Sequence, residues 1–373
     1  MLTLARLFIS LFFLLPALVF AEPYITTAKQ AILVDATTGQ ILYQYNPTQL
    51  MHPSSMTKIM TTYLAFDAVK SGKISLNNTF TTSEKAWKMS GSRMFLNYKD
   101  TPTIDDLLKG IVVQSGNDAC VVIAEGLAGD ESIFVDKMND MAKQLGMLNT
   151  NFTNSSGWPD PNNLSTAKDL SKLAIALINN FPDLYQYHKI KQFSYGNISQ
   201  TNRNLLLGKM GVDGIKTGHT EAGGYGIVLS ALQKDIRLIA VINGLLTDKA
   251  RAQEGEKILN YGFNGFTRVT LLKRNDVFIK SKVIYGELPA VSLTVKDDIK
   301  IFSRNLNEKI SCTIHYKDGI SAPIIMGEKL GIISCKIDNI FDSELQVDLV
   351  AADHVKEANF PQTLLQNIER LIF

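Results

Sequence analysis

Apolar residues recur along this chain in two rhythms, and the places where one gives way to the other outline its architecture. Ala31 to Val34 and Gln40 to Tyr45 read as strands separated by Asp35-Ala36-Thr37-Thr38-Gly39, a turn composition. From about Ser55 to Val69 the spacing turns helical, with Met56, Ile59, Met60, Tyr63, Leu64 and Ala68 at three- and four-residue steps. Between about Thr103 and Asn180 the chain is mostly helical, its apolar faces carried by Leu107-Leu108, Ile111-Val112, Val121 to Ala124 and Leu170 to Ile178. Gly214 to Thr220, Tyr225 to Leu232 and Ile236 to Gly244 then predict three strands with Gly-rich turns, followed by a helix from about Asp248 to Tyr261. The outline is an antiparallel sheet built from both ends of a domain, with a helical insertion between them.

From about Val269 onward, short strands at close spacing take over, such as Val277 to Val283, Val291 to Val295, Lys309 to Tyr316 and Leu345 to Val350. Asp318-Gly319 and Met326-Gly327 supply turns, so a small all-β module is expected. At the end, Leu364, Leu365, Ile368, Leu371 and Ile372 share one face of a helix, opposite Gln366, Asn367, Glu369 and Arg370. Such a helix either docks on its own domain or lies in a membrane surface, and one basic residue gives the second reading little support.

Length adds a boundary condition: 373 residues exceed what one core usually grows to, so two domains are expected. The start has an Arg, an apolar run from Leu7 to Phe20 broken by Pro16, and Val19-Phe20-Ala21, the pattern of a signal peptide cut before Glu22. The alternative, an uncleaved anchor, meets a run short for a span. The expected division is 1–21 signal, 22–268 catalytic domain, 269–352 all-β domain and 353–373 terminal helix. Lys plus Arg is 38 against 36 for Asp plus Glu, without long runs, which makes nucleic acid a poor guess for a partner, since phosphate binding needs a clustered basic face. Of three cysteines, Cys120 sits in an apolar helix-like segment, and Cys312 and Cys335 lie in neighbouring strand-like segments that could pair.

Three short motifs carry chemistry. Ser55-Met56-Thr57-Lys58 opens the first long helix, and an i to i+3 step puts hydroxyl and amine on one face, where a neutral Lys can take the Ser proton. A second S-x-x-K, Ser165-Thr166-Ala167-Lys168, reads as a helix N-cap followed by surface residues. Ser115-Gly116-Asn117 offers a hydroxyl that can relay protons and an amide that can bond a substrate backbone; its bland reading is a turn and cap. Lys216-Thr217-Gly218-His219 provides fixed positive charge, a hydroxyl for a carboxylate, and a glycine where a substrate strand must approach. Lys70-Ser71-Gly72 copies the Lys-x-Gly spacing but ends a helix where Gly is the usual cap. The five His form no metal-ligand pattern and there is no G-x-S-x-G, so zinc chemistry and the nucleophile elbow are disfavoured and no cofactor is expected.

All three motifs occur in order, at a helix start, an interhelical loop and a sheet edge. Pro53 to Lys58, Gln114 to Ala119 and Asp213 to Thr220 resemble the serine-type D-alanyl-D-alanine carboxypeptidases, the low-molecular-mass penicillin-binding proteins. The β-rich tail with Ala322-Pro323-Ile324 and Val350-Ala351-Ala352 is similar to that family's second domain. The resemblance implies an α/β (α+β) β-lactamase/transpeptidase-like domain followed by a small all-β domain, with Ser55 acylated, Lys58 its proton acceptor, and Ser115 with Asn117 as the second edge of the cleft. It also implies Lys216 as the third edge, backbone N–H groups of Ser55 and His219 as oxyanion hole, and Thr217 with Arg251 and Arg203 holding a terminal carboxylate. Charge on Lys216 would help keep Lys58 neutral. The loop Asn154 to Asn163, with Trp158-Pro159-Asp160-Pro161, departs from the family's His-Gly-Leu.

The implied partners are peptidoglycan stem peptides, β-lactams as inhibitors, and a membrane surface through the terminal helix; the implied place is the periplasm, peripherally on the inner membrane. Two rivals remain. A β-lactamase would need a carboxylate to activate water, for which Asp160 is the local candidate. An idle wall-binding protein would have no chemical reason to keep both lysines.

Overall fold

The computed structural model describes residues 2–8, 24–303, 310–337 and 344–364. The described residues form two compact units, one within 22–37 and 42–263, the other within 1–21, 38–41 and 264–373.

The first unit is built on a five-stranded sheet in the order Ile41–Tyr45, Gln30–Asp35, Ile236–Leu245, Gly224–Gln233, Val212–Thr220. The last four run antiparallel to their neighbours, as the glycine-punctuated strand pattern predicts. Every residue of Gln30–Asp35 and the last eight of Ile236–Leu245 are buried, so the sheet is covered on both faces. The helix Asp248–Asn264 covers it closely through Gly255 and Gly262, where a Cβ would meet Leu206 and Leu229, and Leu33 and Leu238. The Glu254 carboxylate on that helix accepts hydrogen bonds from Tyr24 and Thr26, both 2.6 Å, and ties down the start of the unit.

The insertion holds helices Lys58–Lys70, Ile104–Val113, Asn117–Ala128, Glu131–Gln144 and Ala167–Asn180. Lys58–Lys70 is the central one: Ile59, Met60, Thr61, Thr62, Tyr63, Ala65, Phe66 and Ala68 are all buried, as in a helix surrounded by others. Its preceding turn, Ser54–Thr57, is 3-10 rather than α, so the element expected from Ser55 begins as a tighter coil. Thr103 and Asp106 form a capping box that starts Ile104–Val113. Gly72, at φ +73°, ends the first helix as the Lys70-Ser71-Gly72 reading expects.

The second unit contains a seven-stranded sheet in the order Leu2–Phe8, Ile310–Lys317, Lys329–Ile337, Glu344–Ala351, Ala290–Val295, Ile279–Ile284, Ile320–Ser321, and a separate pair of Ile299–Ser303 with Thr267–Leu272. Its core is apolar, with Val291, Leu293, Ile301, Ile314, Ile333 and Leu349 buried. Cys312 and Cys335 stand directly opposite one another on antiparallel strands and form a disulfide of 2.06 Å. Of the expected leader, Leu2–Phe8 pairs with Ser311–Lys317 and residues 9–21 lie outside the described residues. Residues 360–364 are helical with Phe360 and Leu364 exposed, while 365–373, most of the expected amphipathic face, lie outside the described residues. Among the described residues no helix is long and apolar enough to cross a membrane.

Candidate active site

The site grows from the Ser54–Thr57 turn, which is gripped from two sides. Ser54, at φ +51°, shares a 2.9 Å hydrogen bond between its Oγ and Thr220 Oγ1 at the end of the Val212–Thr220 strand. A Cβ on Gly218 would stand 2.8 Å from the Pro53 carbonyl oxygen and 3.3 Å from Ser54 Cβ. The glycine expected to admit a substrate strand is thus required first by the chain's own nucleophile turn. On the other side a Cβ on Gly157 would lie 1.8 Å from Ser54 O, and Gly157 itself needs φ +73°. No other residue type fits there.

Lys58 follows, wholly buried, and its Nζ lies 3.0 Å from Ser55 Oγ, 2.7 Å from Asn117 Oδ1 and 2.5 Å from Ser156 O. Asn117 Nδ2 donates to Ser90 O at 2.8 Å, which fixes its Oδ1 toward the lysine. Two of the three neighbours can therefore only accept. A neutral amine gives them its two N–H groups and turns its lone pair to the Ser55 hydroxyl, the arrangement that receives a proton. Burial pushes the Lys58 amine down to about 8; the Arg203 charge adds to this, while Cys120 and Asp118 oppose it. Burial, rather than the expected repulsion from Lys216, is thus the first cause.

Ser115 sits at φ +60° in the break between helices Ile104–Val113 and Asn117–Ala128. The next helix turn is fixed by Asp118, whose carboxylate accepts from the N–H groups of Met94 at 3.0 Å, Leu96 at 3.2 Å and Ala119 at 2.9 Å. Asn117 N donates to Ser92 O at 2.7 Å. The loop before the cleft and the Ser-Gly-Asn motif are thereby one body. Lys216 is buried on its strand, donates to Thr217 O at 3.1 Å, and is pushed well below its ordinary value by burial first and by the Lys58 charge second.

Ser55, Ser115, Thr217, Gly218, His219, Arg203 and Arg251 line a cavity of about 460 Å³. Lys58, Asn117 and Lys216 are buried around it, so all ten residues singled out from sequence belong to one locality. Arg251 donates to the carbonyls of Arg203 at 3.3 Å and Gly218 at 3.5 Å, pairs with Asp248, and lies 5.7 Å from the Tyr225 ring centroid. The His219 ring packs against that of Tyr225, tilted by 31° with 3.9 Å between centroids. This end of the cavity offers two guanidiniums and a threonine, chemistry suited to a carboxylate. Sequence reading missed Tyr225 and Asp248, and above all the Ser156 carbonyl, because no side-chain type announces a backbone acceptor. Asp160 lines a different cavity, of about 300 Å³, and its Oδ1 accepts from Asn162 N at 2.7 Å, so it does not serve Ser55 as a water-activating base.

A family model described as D-alanyl-D-alanine carboxypeptidase matches residues 19–246, and one described as the C-terminal domain of penicillin-binding protein 5 matches residues 266–357. The D-alanyl-D-alanine carboxypeptidase DacC of Escherichia coli strain K12 is 38% identical over 344 residues, 89% of this chain and 85% of that protein. The solved structure of penicillin-binding protein 5 from Haemophilus influenzae is similar with a TM-score of 0.78 at 34% identity, over 90% of this chain and 100% of that one. Penicillin-binding protein D2 from Listeria monocytogenes, solved in its cefotaxime-bound form, is similar with a TM-score of 0.61 at 28% identity, over 65% of this chain and 100% of that one.

Proposed function

This chain belongs to the D-alanyl-D-alanine carboxypeptidase family and is a serine hydrolase of that kind, and from that premise we propose that Ser55 is its nucleophile and Lys58 the general base. The terminal carboxylate of a stem peptide ending in D-Ala-D-Ala is held by Thr217, Arg251 and Arg203. Ser55 Oγ attacks the penultimate alanine's carbonyl carbon as its proton passes to Lys58 Nζ. The carbonyl's π electrons move to oxygen, where the backbone N–H groups of Ser55 and His219 receive the charge. Collapse breaks the C–N bond, and the departing nitrogen takes a proton from Ser115 Oγ, which Lys58 resupplies. D-Alanine leaves, and a water attacks the ester with Lys58 again as base, releasing the shortened stem and the Ser55 hydroxyl. A β-lactam is attacked in the same way, but its leaving nitrogen stays tethered to the acyl group. Asn117 and Lys216 hold the two flanks of the substrate.

The observation that carries this reading is the Lys58 amine, with two neighbours that can only accept and Ser55 Oγ at 3.0 Å as its third. The test is D-alanine release from a peptide ending in D-Ala-D-Ala by the wild type and by Ser55→Ala. Release that vanishes with the serine is expected; no release from either, with a stable penicillin adduct still formed by the wild type, would point instead to transpeptidation or a binding role.

Export and membrane attachment belong to the same proposal. Residues 1–21 act as a cleaved signal, and residues 353–373 hold the protein peripherally on the periplasmic face of the inner membrane. Exposed Phe360 and Leu364 support the anchor. Removing residues 360–373 should release the protein from membranes with its activity intact; unchanged association would refute the anchor.

A further inference from the structure

Glu131 opens the helix Glu131–Gln144, is only 9% exposed, and takes no part in the reaction as derived above. Its Oε1 accepts from Ser155 N at 2.9 Å and from Ser155 Oγ at 2.6 Å, and its Oε2 pairs with Lys85 at 2.8 Å. The carbonyl of the same serine accepts from Thr61 Oγ1 at 2.5 Å, one helical turn along from Lys58. Ser155 is therefore held at its N–H, its hydroxyl and its carbonyl. One residue later, Ser156 O meets Lys58 Nζ at 2.5 Å, and one later again Gly157 is pressed against Ser54 O. Burying a carboxylate is costly unless it is bonded, and here the bonds converge on the segment that supplies one of the lysine's two acceptors.

We infer that Glu131 is a positioning residue for acylation: by clamping Ser155 it sets the Ser156 carbonyl against the Lys58 amine, aims that amine at Ser55, and keeps water out. The inference rests on the reading of Lys58 as the base. Lys58 is also faced by Cys120 and Asp118 from the helix Asn117–Ala128, by Lys216 from its strand and by Arg203, while Lys85 is the cation paired with Glu131. Burial is the first cause that lowers Lys58, so loosening the clamp and admitting water moves it back up.

The test is the rate of penicillin acylation against pH, read as the Ser55 adduct by mass spectrometry, with thermal unfolding in parallel. Glu131→Ala is expected to lose about 10- to 100-fold at pH 7. Its acid limb should move up by about one pH unit, so that much of the loss is recovered in alkali. The peptide KM should barely change. Glu131→Gln keeps an acceptor for Ser155 and should restore most of the rate. Thr61→Val, which removes the donor to the Ser155 carbonyl, should shift the limb the same way by less and serves if Glu131→Ala does not fold. A wild-type rate and limb in Glu131→Ala and Thr61→Val would overturn the inference, as would a loss equal at every pH. A wild type that forms no adduct on Ser55 would instead sink the reading of the nucleophile.

Discussion

Two tetrads in this chain have the same spelling, Ser55-Met56-Thr57-Lys58 and Ser165-Thr166-Ala167-Lys168, and both stand at the start of a helix. In the first, Ser55 follows the left-handed Ser54 within a 3-10 turn that runs on into the helix at Lys58, so hydroxyl and amine stack one turn apart at 3.0 Å. In the second, Thr166 is extended, at φ −131° and ψ 158°, and caps the helix by accepting from Asp169 N at 3.0 Å. Ser165 is turned inward to Thr150 Oγ1 at 2.9 Å, and Lys168 is exposed. The cap is Thr166, one residue beyond the serine that opens the motif. Spacing makes a pair reactive only where the backbone is already coiled and the surroundings withhold water.

Breaking the first tetrad should have the largest effect. Lys58→Ala removes the proton acceptor and leaves Asn117 Oδ1 and Ser156 O facing a void; acylation by penicillin, followed as adduct mass, should slow by about 10³- to 10⁴-fold. Next comes Arg251→Ala, which removes a carboxylate partner and should raise the KM for D-alanine release by about 10- to 100-fold, with a smaller change in kcat. The pH profile sharpens the contrast. A lysine lowered to about 8 becomes neutral as pH rises through that value, so acylation should increase roughly tenfold from pH 7 to pH 9. Because Lys216 is buried nearby and also lowered, the limb belongs to the pair, and a flat profile would refute a titrating base. In the second tetrad, Thr166→Ala should cost about 1 kcal/mol in urea unfolding without touching activity. Lys168→Ala should change stability by less than about 0.5 kcal/mol and leave acylation alone.

Much of the scaffold was legible because its signals are local. The strands Gly224–Gln233 and Ile236–Leu245 follow from apolar runs between turn residues, and the ends of Lys58–Lys70 and Asp248–Asn264 fall close to where periodicity puts them. The strands Lys329–Ile337 and Ile299–Ser303 were not singled out; the first carries Gly331 in its run, where a Cβ would stand 2.7 Å from the His315 carbonyl oxygen. The pairing of Cys312 with Cys335 needed the register of two strands, which side-chain order does not contain.

By itself the sequence determined the order of elements, the three motifs and the residue types on offer, since periodicity, caps and turns are properties of neighbours in the chain. Only the tertiary structure decided that Lys58 is dry, that Gly218 makes room for the chain's own Pro53–Ser54, that Asp160 belongs to another cavity, and that Ser156 O completes the lysine's surroundings. Those are matters of solvation and of contacts about a hundred residues apart, as with Lys58 and Ser156. A protonation state depends on what surrounds a group in space, whatever stands beside it in the chain.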